Sequence, residues 1–163
     1  VQNLLETMQP LVKTHDVLIH SMAVSDYTPI YMAGFDQITA SQDLTEFLNK
    51  TNVQGKISSQ DDYQVLFLKQ TPKIISQVKK WNPNIRLIGF KLLVEVSMKK
   101  LLAVARASLV KNQAEIIVAN DLDHISNHQH HAYLVKQDSV IEATTKEEIA
   151  QLLLTHIHAK DNL

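Results

Sequence analysis

Small, polar or charged side chains follow three apolar segments of this chain, and each segment is typical of a buried strand in a parallel sheet. The segments are 17–24, with a strand predicted over 17–20, 86–90 and 116–119, and the residues at their ends are Ser25-Asp26, Phe90-Lys91 and Asn120-Asp121. Open α/β sheets bind their ligands at the carboxyl ends of parallel strands. Carboxylate, amide and ammonium groups gathered there could bind a small polar substrate.

A second feature predicts an anion site. Thr71-Pro72 has the residue types of a helix start, with threonine as N-cap and proline at the first helical position. A helix N-terminus presents free N–H groups and a positive dipole end to an anion. Lys56 lies in a long loop, and Lys111 lies near a predicted helix end. These residues favour a cleft for a nucleotide or a phosphorylated substrate, although many α/β domains share such features.

Short apolar segments alternate with segments of helical periodicity, which predicts an α/β fold with a mainly parallel sheet. We expect one Rossmann-like domain over 1–163 with three layers, a C-terminal hairpin and a final helix. The predicted helices are 1–13, 43–49, 71–81, 97–110 and 146–159, the further strand is 63–69, and the hairpin is 132–136 with 140–143. The stretch 27–62 is expected to be a long, flexible loop, apart from helix 43–49.

Composition excludes several classes of protein. The chain has 163 residues, 45% of them hydrophobic, and a net charge of −1. A near-neutral chain gives no electrostatic case for binding nucleic acid or a membrane surface. No apolar run approaches the ~18 residues that a membrane helix needs. The absence of cysteine excludes disulfides and fits the cytoplasm.

Four histidines, His124, His128, His130 and His131, lie in a polar stretch. Their spacing with the neighbouring carboxylates matches no known metal site, so we interpret them as a solvated loop and expect no metal bound by the protein alone. The three glycines, at 34, 55 and 89, form no glycine-rich phosphate loop.

Several short motifs occur in an order that resembles the phosphopantothenate–cysteine ligase family. They are AVSDYTP (23–29), GKIS (55–58), LKQTPKII (68–75), LIGF (87–90), AR and KN (105–106 and 111–112) and IIVANDL (116–122). Each motif alone is weak, but the ordered set is specific and covers nearly the whole chain. The resemblance to the free-standing bacterial type implies a Rossmann-like fold and a ligase of coenzyme A biosynthesis.

The resemblance also implies the chemistry. The carboxylate of 4′-phosphopantothenate would be activated by CTP or ATP with Mg²⁺, which gives an acyl-nucleotide and pyrophosphate. The amine of L-cysteine would then displace the nucleotide monophosphate. A homodimer is implied as well.

Site residues are carried over by the same resemblance. Lys56 is implied as the catalytic lysine at the triphosphate or the reacting centre, and Phe90 as the aromatic packed on the base. Asn120 is expected to shape the cleft. The other implied nucleotide-binding residues are Ala23, Asp26, Pro72, Lys73, Ile74, Ile75 and Lys111.

The chain also departs from the family pattern. Lys91-Leu92-Leu93 follows LIGF where bacterial relatives typically have two small residues and Glu-Thr, and Lys73 replaces an aspartate. These departures leave the choice between CTP and ATP open. The family's N-terminal portion, with a glycine-containing turn and an Asn-x-Ser-(Ser/Thr)-Gly motif, has no counterpart. We therefore expect a fragment that is inactive alone.

Two alternatives remain open at this stage. One is a Rossmann-like nucleotide-binding module without catalysis, which the departures favour. The other is a fragment of an NAD(P)-dependent oxidoreductase, which would need a GxGxxG turn upstream of Val1.

Overall fold

A computed structural model of the protein describes residues 1–52, 61–126 and 129–160. The chain forms two compact units, one comprising Val1 and Val24–Lys73 and the other comprising Gln2–Ala23 and the chain from Ile74 onward. No helix in the described part is long and apolar enough to cross a membrane.

The helices are α1 Gln2–Thr14, α2 Phe35–Thr39, α3 Ile75–Trp81, α4 Met98–Asn112 and α5 Lys146–Lys160. The strands are β1 Val17–His20, β2 Tyr27–Gly34, β3 Gln64–Gln70, β4 Arg86–Leu93, β5 Ile116–Asp121, β6 Ala132–Val135 and β7 Val140–Ala143. Two 3-10 helices span Leu44–Asn49 and Leu122–His124.

The second unit is built on a five-stranded sheet in the order β1-β4-β5-β6-β7. Strands β1, β4 and β5 are parallel, whereas β6 and β7 form the antiparallel hairpin. Every residue of β5 is buried, as expected of a central strand covered on both faces. The predicted Rossmann-like α/β fold is therefore confirmed.

Side chains on one face of this sheet pack against α5. Ile88, Ile116, Val118 and Leu134 form a buried core there with Ile149 of α5. On the other face, a Cβ atom added at Gly89 would come within 2.9 Å of the Cδ1 atoms of both Ile117 and Ile75. Gly89 thus allows the start of α3 to approach the sheet closely.

The first unit contains a two-stranded antiparallel sheet of β2 and β3. Its inner face carries stacked rings, with Phe47 centred 5.9 Å from Tyr31 and 5.4 Å from Phe67. Phe47 is 1% exposed, so this aromatic cluster is the core of the unit.

Two sequence predictions differ from the structure here. Residues 27–34 were expected to be irregular but form β2, whose register shifts between Pro29 and Tyr31. The predicted helix start at Thr71-Pro72 is also wrong, because α3 begins at Ile75. The Thr71 backbone N–H instead donates to the Asp26 carbonyl (2.9 Å), and its hydroxyl donates to the Ser25 carbonyl.

A polar network fixes the end of α5. Arg86 Nε donates to both carboxylate oxygens of Glu115 at 3.3 Å, and its terminal nitrogens donate to the carbonyls of His156 and Ile157. His156 Nε2 lies 3.0 Å from Glu115 Oε2. The guanidinium therefore supplies additional donors, and a positive charge, to two carbonyl groups near the carboxyl end of α5.

We predict that Arg86→Ala lowers the free energy of unfolding by about 2–4 kcal/mol, since it leaves a partly buried carboxylate and two carbonyls without their cation. Urea unfolding followed by circular dichroism measures the change. Arg106→Ala is the control, because Arg106 donates one exposed hydrogen bond, to Gln137; it should cost about 0.5 kcal/mol or less. Equal losses in the two variants would contradict this role of Arg86.

Candidate functional site

Two of the three predicted strand ends, Phe90-Lys91 and Asn120-Asp121, lie in the second unit, whereas β1 ends at His20 and Ser25-Asp26 belong to the first unit. His20 of β1 pairs with Gly89 of β4, and Leu92 of β4 pairs with Asn120 of β5. Because these strands are parallel, their carboxyl ends lie along one edge of the sheet. This edge is the candidate site, in the position where open α/β sheets bind ligands.

Phe90 and Asn120 lie on the same face of the sheet, because Phe90 pairs with Val118 and side chains alternate along a strand. The Phe90 ring is half-buried and packs against the core beside α5. Asn120 is 7% exposed, and its amide forms no hydrogen bond with any residue in the described ranges. Buried amides usually have hydrogen-bond partners. An Asn120 amide without one among these residues is therefore available to bind a ligand.

Asp121 points to the opposite face and has a different role. Its carboxylate accepts backbone N–H groups of Val96 (2.8 Å), Glu95 (3.1 Å) and Asp123 (3.2 Å). Glu95 holds a left-handed conformation with φ of 51°, which few side chains adopt. Asp121 thus ties the loop after β4 to the loop after β5. These hydrogen bonds, that of Val96 first, lower the pKa of the Asp121 carboxyl.

The remaining predicted residues of the second unit are placed differently. Ala23 is exposed in the segment that follows β1, and Ile74 is 2% exposed as the N-cap residue of α3. Ile75 is the first residue of α3, in contact range of Gly89. Lys111 is not brought to this edge, because it lies near the carboxyl end of α4, beside the start of β5. Its role in nucleotide binding stays a prediction.

Asp26, Pro72 and Lys73 belong to the first unit. Lys73 Nζ lies 3.6 Å from Asp26 Oδ1, and both side chains are about half exposed. Such a solvated ion pair contributes little stability, so a ligand could replace either partner at low cost. Lys56 lies outside the described residues.

Sequence reasoning missed two features of this edge. It did not identify Asp121 as the acceptor that joins two loops, although a carboxylate directly after a buried strand is a recognisable signal. It also gave no role to His20, which is 8% exposed and whose Nε2 has no hydrogen-bond partner among the described residues. Burial lowers the pKa of this imidazole. No group of three or more metal-binding side chains occurs within the described ranges.

We predict that Asp121→Asn destabilises the protein in a pH-dependent manner. The folded-state pKa is below the ordinary value of 3.8, so the ionised carboxylate stabilises the fold above that pH and loses this effect as pH falls through the folded pKa. Urea midpoints for wild type and variant should differ at pH 7 and converge below pH 3.8. A difference that persists unchanged in acid would contradict the assignment. Asp138→Asn, in the turn between β6 and β7, is the control.

Comparison with known proteins identifies the family of the chain. The family model of the DNA/pantothenate metabolism flavoprotein C-terminal domain matches residues 1–160. The crystal structure of the DNA/pantothenate metabolism flavoprotein from Streptococcus pneumoniae is 58% identical, with a TM-score of 0.93, over 98% of this chain and 70% of that one. The crystal structure of the C-terminal domain of a coenzyme A biosynthesis bifunctional protein CoaBC matches at 22% identity and a TM-score of 0.65, over 99% of this chain and 63% of that one. Because the identity is low, this match supports the fold alone.

Curated relatives are longer proteins. The coenzyme A biosynthesis bifunctional protein CoaBC of Thermococcus kodakarensis is 30% identical over 125 residues, which is 76% of this chain and 31% of that protein. Its namesake from Methanocaldococcus jannaschii is 25% identical over 90% of this chain and 32% of that protein. The chain thus spans about a third of the length of these relatives. The resemblance predicted from the ordered motifs is confirmed, and the chain belongs to the DNA/pantothenate metabolism flavoprotein C-terminal domain family.

Proposed function

We propose that the protein joins 4′-phosphopantothenate to L-cysteine in coenzyme A biosynthesis. The observation that carries this proposal is the Asn120 amide, which has no hydrogen-bond partner among the described residues and lies on the same sheet face as Phe90, in a chain that belongs to this family. The lack of cysteine fits the reducing cytoplasm, where we propose that the reaction takes place.

The reaction has two steps. A carboxylate oxygen of phosphopantothenate attacks the α-phosphorus of CTP or ATP, and pyrophosphate leaves. The ammonium group of L-cysteine first loses a proton to solvent. Its nitrogen then attacks the acyl carbon, the bond from that carbon to the phosphate oxygen breaks, the nucleotide monophosphate leaves, and the nitrogen loses a second proton. Both steps concentrate negative charge, so the site must supply hydrogen-bond donors and cations.

Individual residues support this chemistry to different degrees. The Asn120 amide can donate to a nucleotide oxygen without breaking an existing hydrogen bond. The half-buried Phe90 ring offers an edge to a base, while the rest of the ring belongs to the core. Lys56 is proposed to neutralise the triphosphate, as the family resemblance implies. Lys73 could do the same if it exchanged Asp26 for a phosphate.

Mg²⁺ fits this proposal as an ion carried by the nucleotide. It usually keeps several waters and binds through substrate phosphates and one or two carboxylates. Asp26 is an exposed carboxylate of the first unit, whereas Asp121 in the second unit already accepts three backbone N–H groups. The ion would screen the charge of the phosphates to which it is bound.

A pyrophosphate-release assay on the complete gene product, with phosphopantothenate, L-cysteine and either CTP or ATP, tests the proposal. Release should require phosphopantothenate and one of the two nucleotides. The nucleotide that gives the faster release is the preferred substrate. Asn120→Ala should lower kcat/KM at least about tenfold, the loss expected for one hydrogen bond to a charged ligand. Asn84→Ala, in an exposed turn, is the control. No release with either nucleotide would overturn the proposed function.

We also propose that the protein is a homodimer and that β3 contributes to its interface. The outer face of β3 leaves Leu66 47% and Leu68 52% exposed, while Val65 and Phe67 face the aromatic cluster. A two-stranded sheet with one apolar face uncovered is marginally stable alone. A second copy related by a two-fold axis would cover this face with an identical one.

Replacement of both leucines by lysine should convert a dimer to a monomer, since like charges would face each other across the axis. Light scattering at micromolar concentration measures the mass of wild type and variant. Leu154→Lys, on an exposed position of α5, is the control and should remain dimeric. A wild-type monomer would contradict the proposed dimer, and a dimeric double variant would contradict this interface.

A further inference from the structure

A cavity of about 290 Å³ lies beyond the end of β5, and no role has been assigned to it so far. Its polar lining comprises Asp123, His124, Ser126, Gln129, His131 and Tyr133. The volume is at the low end of the range for ligand sites, which favours a small molecule. The cavity is therefore smaller than a site for a whole nucleotide.

The walls of this cavity are held by backbone hydrogen bonds. Ser126 N–H donates to the Gln129 carbonyl (2.8 Å), and His131 N–H donates to the His124 carbonyl (3.2 Å). Asp123 N–H donates to the buried Asp121 carboxylate at 3.2 Å. Asp121 thus fixes one wall of the cavity as well as the loop after β4. Because Tyr133 pairs with Ala119, the cavity lies at the carboxyl end of β5 on the face of Asp121.

One side of the lining is acidic. The Asp123 carboxylate is exposed and forms no ion pair or side-chain hydrogen bond with any residue in the described ranges. His131 Nε2 already has an acidic neighbour, since it lies 3.3 Å from Glu142 Oε1. A phosphate would be repelled by Asp123, whereas an ammonium group would be attracted to it.

The other side of the lining offers hydrogen-bond donors. Ser126 Oγ accepts the Gln129 N–H (3.2 Å), so its own proton remains available. The Gln129 amide and the His124 ring also line the cavity. Burial raises the pKa of the Tyr133 phenol, which therefore keeps its proton and can donate. These groups suit a carboxylate.

We propose that this cavity binds the amino-acid co-substrate of the ligase, with its ammonium group at Asp123 and its carboxylate at His124 and Ser126. This inference rests on the proposed function, because it assigns a subsite for the attacking amine. An α-amino acid has both charges on one carbon, and the lining presents an acceptor and several donors within one small cavity. A simple anion would interact favourably with the hydrogen-bond donors only and not with Asp123.

The test uses the complete gene product and separates the two half-reactions. Single-turnover pyrophosphate release without L-cysteine reports acyl-nucleotide formation, and the KM for L-cysteine reports the proposed subsite. Asp123→Asn should raise that KM roughly tenfold or more, the loss expected for one charge-assisted hydrogen bond. The single-turnover release and the KM for phosphopantothenate should stay unchanged. Asp138→Asn, in the hairpin turn, is the matched control.

Calorimetric titration with cysteamine, which lacks the carboxylate, separates the two ends of the ligand. Asp123→Asn should weaken the binding of both cysteamine and L-cysteine, whereas His124→Gln should weaken that of L-cysteine alone. An unchanged KM and unchanged affinities in both variants would overturn the proposal. Loss of single-turnover release in Asp123→Asn would also overturn it, because the cavity would then serve the first half-reaction.

If the proposed ligase function is wrong, the two assays give a different result from the one expected if only the cavity assignment is wrong. Wild type would then release no pyrophosphate with either nucleotide, yet the titration would still report on the cavity. Binding of L-cysteine that Asp123→Asn abolishes would support a small amino-acid site, and no binding by wild type would overturn it.

Discussion

The structure depends on the parallel pairing of β1, β4 and β5, with β5 buried along its whole length. A strand covered on both faces must be apolar, and helices must lie on each side to cover it. Once helices cover both faces of β5, the carboxyl ends of the three parallel strands lie at one edge of the sheet. The polar residues of the candidate site follow from the same constraint that builds the core.

The two residues that end β5 show how alternation separates two roles. Asn120 shares the face of Val118, and its amide has no described partner, so it can meet a ligand. Asp121 points to the other face and accepts three backbone N–H groups. One residue is thus available for binding, while its neighbour orders the loops beside it. A shift of register by one residue would exchange these roles, which the buried strand does not allow.

The sequence was sufficient to predict the sheet and its edge, because its central strands are continuous apolar segments. It was not sufficient for β2, where Pro29 argued against a strand. That proline lies next to a register shift in a two-stranded sheet, where a missing N–H is tolerated. Thr71 was wrongly predicted as an N-cap because its hydroxyl and N–H bind carbonyls 46 and 45 residues away in the chain. Local residue types cannot reveal such distant partners.

The charges of the side chains at the carboxyl edge of the sheet also limit the chemistry that this site can support. A triphosphate needs several cations, yet the chain as a whole has a net charge of −1. Within the second unit, Lys91 lies on the face of β4 opposite to Phe90. Lys91 is therefore not on the same face of the sheet as Phe90 and Asn120. The nucleotide proposed above would bring a divalent cation of its own, so it would need fewer side-chain cations than a free triphosphate.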